Sequence, residues 1–334
     1  MGIRVIKPGM LTTVQDLGRT GYQSQGFSVA GVMDVRSFKI ANLLVDNPEN
    51  EPVLEFTLIG PTLEFTSDTI IAITGGNFNP TINGEPAPMY TAIYMHRGDI
   101  LKFGVAQSGA RGYVSFSSYL KVPVVMGSRS TNMKSSVGGF KGRKLQADDF
   151  ILFRIKRRYI PYFLSRKLPA DDFTQERVTL RVVMGPQDDV FTKEGIETFL
   201  NNEYTVTSEF DRMGCRLDGP YIASKNGSDI ISDGICLGSV QVPAHGKPII
   251  LLSDRQTTGG YAKIATVASV DIPKLAQCKT DFKVKFEAIT VQEAQRLYLK
   301  EEHEYDRMRD EIHKPCKEVL ECRITAKRIR SLFE

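Results

Sequence analysis

The feature that most narrows the fold is a series of short apolar runs between Val53 and Phe103, each cut off by turn residues. Residues 54–59, 63–65, 70–74, 93–95 and 100–103 are the runs, with Gly60-Pro61, Gly75-Gly76 and Asn83-Gly84 among the interruptions. Runs this short and regular predict antiparallel hairpins in a barrel or sandwich. Asn83-Gly84 is the best local turn signal, because both residues tolerate the positive φ of a tight hairpin. One helix interrupts the pattern: Asp34 caps it, Val35, Phe38, Ala41 and Val45 recur at helical spacing, and Asn47-Pro48 stops it.

At 334 residues the chain exceeds what one core usually organises. The stretch 156–173, basic and aromatic and holding Pro161 and Pro169, reads as the linker between two strand-rich halves. The expected division is 1–165, 175–290 and a helical tail over 291–334. In the second half, strands are expected at 178–184, 229–231, 239–242 and 248–253, and a helix over 188–201. Phe282, Val284, Phe286 and Ala288 alternate, so the last strand should bury one face. Thr290 and Glu293 form a capping-box pair that opens a charged helix, which Pro315 should break. Its segment 301–310 reads as a solvated face, and the basic 327–330 as a solvated tail.

Several function classes fall away on inspection. The hydrophobic and charged fractions, 41% and 25%, are those of an ordinary globular chain. A net charge of +4, thinly spread, does not predict nucleic-acid binding. No run of apolar residues is long enough to span a membrane, and the N-terminus reads as a strand instead of a signal peptide. Five cysteines (Cys215, Cys236, Cys278, Cys316, Cys322) with no C-x-x-C pair read as free thiols, so a cytoplasmic location is expected. His96, His245, His303 and His313 lack zinc spacing, and no dedicated metal site is expected. There is no G-x-S-x-G elbow and no strand-linked G-x-G-x-x-G. Pro248 follows Gly246-Lys247 where a phosphate-binding loop needs Ser or Thr, and Ser135 after Lys134 argues against covalent biotin there.

The densest chemistry runs from Ser232-Asp233-Gly234-Ile235 through Val242-Pro243, then from Pro248 to Ser253, and on through Asp254, Arg255, Gln256, Thr257, Thr258, Gly259, Gly260 and Tyr261 to Lys263-Ile264. An apolar strand here ends in a polar loop whose glycines permit a tight path, whose N–H groups can converge on an anion, and whose cations can neutralise it. Composition alone favours an ordinary Gly-Gly hairpin turn with solvated charges.

The same loop, with the preceding Gly-Ser-Val-Gln-Val-Pro of residues 238–243 and the strand from Gly246 to Leu252, resembles the signature of the KipA/PxpC family. That family is related to allophanate hydrolase subunit 2 and to the carboxyltransferase domain of urea carboxylase. The resemblance extends to Pro8-Gly9, the run from Leu11 to Asp16, Gly18-Arg19, Asp34, Val122-Pro123, Val125 to Ser128, Lys134, Gly138-Gly139, Gly142-Arg143 and Arg212-Met213-Gly214. Two departures stand out: residues 115–120 replace a small-residue Ala-Gly-Gly segment, and Ala262 stands where Gly-Gly-Tyr-Pro is usual. The helix beyond Thr290 also exceeds what the family needs.

The resemblance implies a mainly β protein of two β-rich domains, the C-terminal one a cyclophilin-like barrel, with a C-terminal helical extension. It implies one subunit of an ATP-dependent 5-oxoprolinase, inactive alone. The partners would be a smaller KipI/PxpB-like subunit and a PxpA-like protein, with ATP and Mg²⁺ used in the assembled complex and no biotin on this chain. The alternatives are a KipA-type regulator that antagonises a KipI-like kinase inhibitor, and the carboxyltransferase half of a urea carboxylase or allophanate-related system. The implied catalytic residues are Asp16, Lys134, Asp254, Gln256 and Lys263. Ligand contacts are implied at Arg19, Gly138, Gly139, Gln241, Arg255, Thr257, Thr258, Gly259 and Gly260. Because Asp254, Gln256 and Lys263 sit in a polar loop, replacing them is expected to leave the fold intact.

Overall fold

The computed structural model describes residues 1–315, and the chain is mostly β. In the first half two antiparallel sheets share one apolar core. One, of six strands, runs in the order Phe150–Leu152, Gly2–Lys7, Thr62–Phe65, Ile100–Lys102, Thr81–Ile82 and Glu85–Pro86. The other, of five, runs Leu11–Gln15, Val53–Thr57, Ser108–Phe116, Thr69–Asn77 and Ala92–Met95. Asn83-Gly84 makes the hairpin expected of it, with both residues at positive φ. Ile3, Val5, Phe56, Leu63, Phe65, Ile71, Ile73 and Phe116 fill the space between the sheets.

The helix α1 (Val35–Leu44) covers the outer face of the five-stranded sheet, with Ile40 and Leu44 against Ile70 and Ala72, and Phe38 against Val53 and Tyr113. Its Asp34 cap accepts from the Ser37 N–H at 2.9 Å. A sheet covered on both faces has no solvent side, so Thr69–Asn77 is buried almost throughout instead of alternately.

The second half is a closed barrel of seven strands, in the order Arg177–Met184, Lys263–Val267, Ser239–Gln241, Ile249–Leu251, Gly214–Asp218, Glu203–Phe210 and Lys283–Ala288. The last strand returns parallel to the first and closes it. Leu180, Val206, Ile250, Ile264, Val284 and Phe286 fill the interior. The helix expected over 188–201 is split: a 3₁₀ turn Asp188–Val190 is followed by α2 (Lys193–Asn201), because Phe191 is extended and buried and Thr192 caps anew, accepting from the Gly195 N–H at 2.9 Å. Phe199 of α2 stacks on Phe286 at 4.3 Å between ring centroids. The short α3 (Ile272–Ala276) follows the second barrel strand.

The stretch 156–173 joins the halves and is itself packed. Ile160 and Leu168 are buried, and Arg166 is fully enclosed. Its Nη1 donates to the Leu43 carbonyl at 2.9 Å and its Nη2 to Asp46 at 2.8 Å, supplying the donors that the C-terminal end of α1 lacks.

The capping-box helix is α4 (Val291–Ile312), with the Thr290 hydroxyl accepting from the Glu293 N–H at 3.1 Å. Its 301–310 segment is not a solvated face throughout. Tyr305 is buried, and Glu302 and Glu304 pair with Lys39 and Arg36 of α1, each at 2.9 Å. The sequence hid this because both basic partners lie far upstream. No helix among the described residues is long and apolar enough to cross a membrane. Cys316, Cys322 and the basic 327–330 lie outside the described residues.

Candidate functional site

Strand Asp229–Gly234 leaves the barrel wall and pairs with Thr258–Tyr261 as a two-stranded ribbon, placing Asp233 opposite Gly259 and Gly234 opposite Thr258. A side chain at Gly259 would press on Ile235 Cδ1 at 2.6 Å and on Gln241 Nε2 at 2.9 Å. Glycine is required there by close approach. Gln241 is buried and donates to the Tyr261 carbonyl at 3.2 Å, so it braces the ribbon from beneath. Gly260, the next residue, is half-buried, as is Gln256.

Between this ribbon, the barrel wall and the Gln23–Gln25 turn lies a cleft of 550 Å³. Arg255, Thr257, Thr258 and Lys263 line it, as the family pattern implies; so do Asp233 and Cys236, which lie in the dense stretch of the sequence but were given no role, and Gln23 and Ser24, which sequence reasoning missed. Asp233 was legible only as a neighbour of the motif; nothing in the sequence placed the 23–25 turn against a barrel some two hundred residues downstream.

Lys263 is buried, and its Nζ meets Asp233 Oδ2 at 2.6 Å and the Gly234 carbonyl at 3.1 Å. The Lys263 ammonium holds the Asp233 carboxyl below the usual range through this hydrogen bond. Arg255 is also buried, its Nε and Nη1 turned to the carbonyls of Ile235 and Leu252 at 3.3 and 3.2 Å. Burial pushes its pKa down from the ordinary value.

Asp254 does not line the cleft. It is buried and takes two hydrogen bonds from Arg212, at 2.9 and 3.1 Å. Arg212 in turn reaches Glu55 and the Gly31 carbonyl of the first half. This carboxylate–guanidinium–carboxylate chain crosses the seam between the halves, and its charges raise the Arg212 pKa despite burial.

The upstream residues form a second group. Asp16 is buried and accepts from the Gly18 and Arg129 N–H groups and from the hydroxyls of Ser128 and Ser130, at 2.5 to 2.8 Å. That saturation makes it a brace for the 128–131 segment. Arg19 gives Nη2 to the Ser130 carbonyl, while its Nε and Nη1 are buried without a partner. Burial lowers its pKa, and the charges of Asp16 and Asp254 oppose that shift. Gly138 sits at φ +72°, where a side chain would collide with the Ser130 carbonyl and with Arg19; Gly139 packs against Thr131. Lys134 is exposed and has no ion-pair or hydrogen-bond partner among the described residues.

The arrangement thus offers an open cleft with one cation balanced by a carboxylate, a second cation without one, hydroxyl groups and a thiol. Such a set can hold and orient an anionic or polar small molecule. It holds no base and nucleophile pair of its own in the described residues. No group of three or more His, Cys, Asp or Glu side chains among those residues converges as a metal site would.

Comparison with known proteins supplies the context. Residues 25–288 match the family model described as carboxyltransferase domain, subdomain A and B. The chain is 35% identical over 303 residues to the 5-oxoprolinase subunit designated C from Haemophilus influenzae, covering 89% of this chain and 94% of that one. It is 32% identical over 311 residues to the 5-oxoprolinase subunit of the same designation from Escherichia coli, covering 93% and 99%. Among solved structures, K. lactis urea amidolyase superposes with a TM-score of 0.85 at 30% identity, over 92% of this chain but 20% of that much longer one.

Proposed function

The chain belongs to the carboxyltransferase domain family, and from that premise we propose that it is one subunit of an amide-hydrolysing enzyme of the 5-oxoprolinase type. The observation that carries this reading is the near full-length match, in both directions, to a 5-oxoprolinase subunit from each of two bacteria. The cleft between the ribbon and the Gln23–Gln25 turn is then the place where the amide lies.

The division of labour follows from what the chain holds and lacks. An unactivated lactam resists water, and ATP with Mg²⁺, when present in the assembled enzyme, would supply a phosphoryl group to the amide oxygen and so create a better electrophile. The Gly138–Gly139 turn and Arg19 offer no phosphate contacts: the turn is packed against Ser130 and Thr131, and the free nitrogens of Arg19 are sealed from solvent. In this reading ATP is bound by the smaller KipI/PxpB-like partner or at the joint interface. This chain's part is to bind and orient. Thr257 and Thr258 offer hydroxyl donors, and Lys263 and Arg255 offer cationic donors for oxygens that gain charge in the transition state.

The experiment is reconstitution. The purified chain alone should show no turnover of 5-oxoproline, while the set with its KipI/PxpB-like and PxpA-like partners should form glutamate only with ATP. Light scattering should show the chain and the smaller partner eluting as one species. Robust ATP-independent hydrolysis by the lone chain, or separate elution, refutes the reading. Carboxyl transfer is the second reading, favoured by the superposition on urea amidolyase. Biotin-dependent carboxylation of urea by a reconstituted set would install it instead.

A further inference from the structure

Among the described residues Cys236 is the one exposed cysteine, and it opens onto the cleft. It starts a tight turn that closes when the Ser239 N–H donates to its carbonyl at 3.3 Å, with Gly238 at φ +82°, where a side chain would press on the Val267 carbonyl at 2.9 Å. The turn sets the Cys236 Sγ 3.1 Å from the buried Ser239 hydroxyl, a group that can donate to a thiolate.

A cation stands beside the sulfur. Arg255 lines the same cleft, is 6% exposed, and turns Nε and Nη1 back to main-chain carbonyls, while Nη2 has no hydrogen-bond partner among the described residues. It is near enough to Cys236 for a thiolate there to act on the guanidinium. Lys263, the other cation lining the cleft, is answered by Asp233 at 2.6 Å, and Asp233 is the one carboxylate among the lining residues. The cleft is therefore left with one net positive charge, and a buried guanidinium without a counter-charge is unfavourable. A thiolate at Cys236 supplies that counter-charge, and a thiol open to solvent beside an arginine has the surroundings of a reactive one. Cys215 and Cys278 lack that access: both are buried, and burial pushes their thiols up.

We infer that Cys236 is a modification site, at which the thiolate exchanges with the disulfide of a small acidic thiol and leaves a mixed disulfide in the cleft. The Cys236 sulfur attacks one sulfur of the reagent, the reagent's S–S bond breaks as the new one forms, and the departing thiolate takes a proton from water; Cys236 is oxidised and the reagent reduced. The net positive charge selects an acidic reagent over a neutral one. Because the adduct shares the cleft with Thr257, Thr258 and Lys263, modification shuts the amide site, a consequence that rests on the reading of this cleft given above.

The test treats the full chain with glutathione disulfide as the acidic reagent and 2-hydroxyethyl disulfide as the neutral one, and peptide mass mapping reads each cysteine. Cys236 should carry the glutathione adduct, lost on treatment with dithiothreitol, while Cys215 and Cys278 stay unmodified. In Arg255→Gln the ratio of the two rates at Cys236, acidic over neutral, should fall by roughly tenfold, the scale of one nearby charge. Arg255→Lys, which keeps the charge, should largely restore it. Absence of the adduct at Cys236 overturns the inference, as does an unchanged ratio in a folded Arg255→Gln, or modification of the buried pair as fast as Cys236.

A second arm separates the site from its consequence. The chain is modified, freed of reagent and only then assembled with its partners. Turnover of 5-oxoproline should be lost and should return with dithiothreitol, and Cys236→Ser, whatever its own rate, should not respond to the same treatment. If the adduct forms and turnover by the assembled set is untouched, the modification site stands and the assignment of this cleft to the amide falls. Should the unmodified set fail to hydrolyse 5-oxoproline, the hydrolase reading falls and the mass map alone decides the site.

Discussion

Arg212 is 4% exposed and faces a carboxylate on each side, Glu55 in one half of the molecule and Asp254 in the other. Removing Asp254 leaves Arg212 with Glu55 and strips two buried charge-assisted hydrogen bonds, each worth about 1.5–3 kcal/mol. Asp254→Ala is therefore expected to lower the urea unfolding midpoint clearly, contrary to what its position in a polar loop suggests, while Gln256→Ala, half-buried and uncommitted, leaves the midpoint where it was. Equal midpoints for both variants would show that the Arg212 chain contributes nothing. A second buried acid, Asp34, accepts from the Gln277 side chain at 2.7 Å and from the Ser37 N–H and hydroxyl. Burial raises its pKa to about 6, and these hydrogen bonds only partly offset that. Between its unfolded value of 3.8 and about 6 the folded chain holds the proton more tightly, so this group's contribution to stability falls as pH rises through that window and is flat above it. Chemical denaturation of Asp34→Asn beside the unchanged chain should show the variant's relative stability improving from pH 4 to pH 6; a constant difference would sink the assignment. The Asp34 cap was readable in sequence; its burial against Gln277 and the Asp254–Arg212 pairing were not. The Asp254 motif was visible as chemistry, but the partner that fixes its role, Glu55, lies 157 residues from Arg212 along the chain.

At the scale of elements, legibility followed whether local periodicity and burial agreed. Lys283–Ala288 alternates in sequence and buries Val284 and Phe286 inside the barrel, so its face could be read directly. Thr69–Asn77 could be placed as a strand but not oriented, because α1 covers the face that would otherwise be solvated. The acidic stretch of α4 misled for the opposite reason: its charges are real, yet they meet Lys39 and Arg36 across α1 while Tyr305 enters the core between. Apolar contact should dominate that junction. Tyr305→Ala is expected to cost about 3 kcal/mol and Glu302→Ala less than about 1, measured by thermal or chemical unfolding. A reversed order would mean that the ion pairs hold α4 in place.

For the whole molecule, turn spacing predicted a β chain, while the barrel followed from family resemblance and its closure became visible only in the parallel pairing of Arg177–Met184 with Lys283–Ala288. The cleft was half legible for the same reason: its barrel side is one contiguous motif, and its other wall is a turn from the distant N-terminal segment. That closure also governs how the molecule comes into being. Each half is completed by a strand that arrives last: Phe150–Leu152 onto Gly2–Lys7 in one, and Lys283–Ala288 onto Arg177–Met184 in the other. Pairings that span roughly a hundred residues or more must await most of their half before any contact repays the loop they close, so they form late and slowly. During synthesis the first half can therefore finish folding while the second is still open-edged, and until its final strand is made the barrel exposes unpaired edges that favour association with the wrong neighbour.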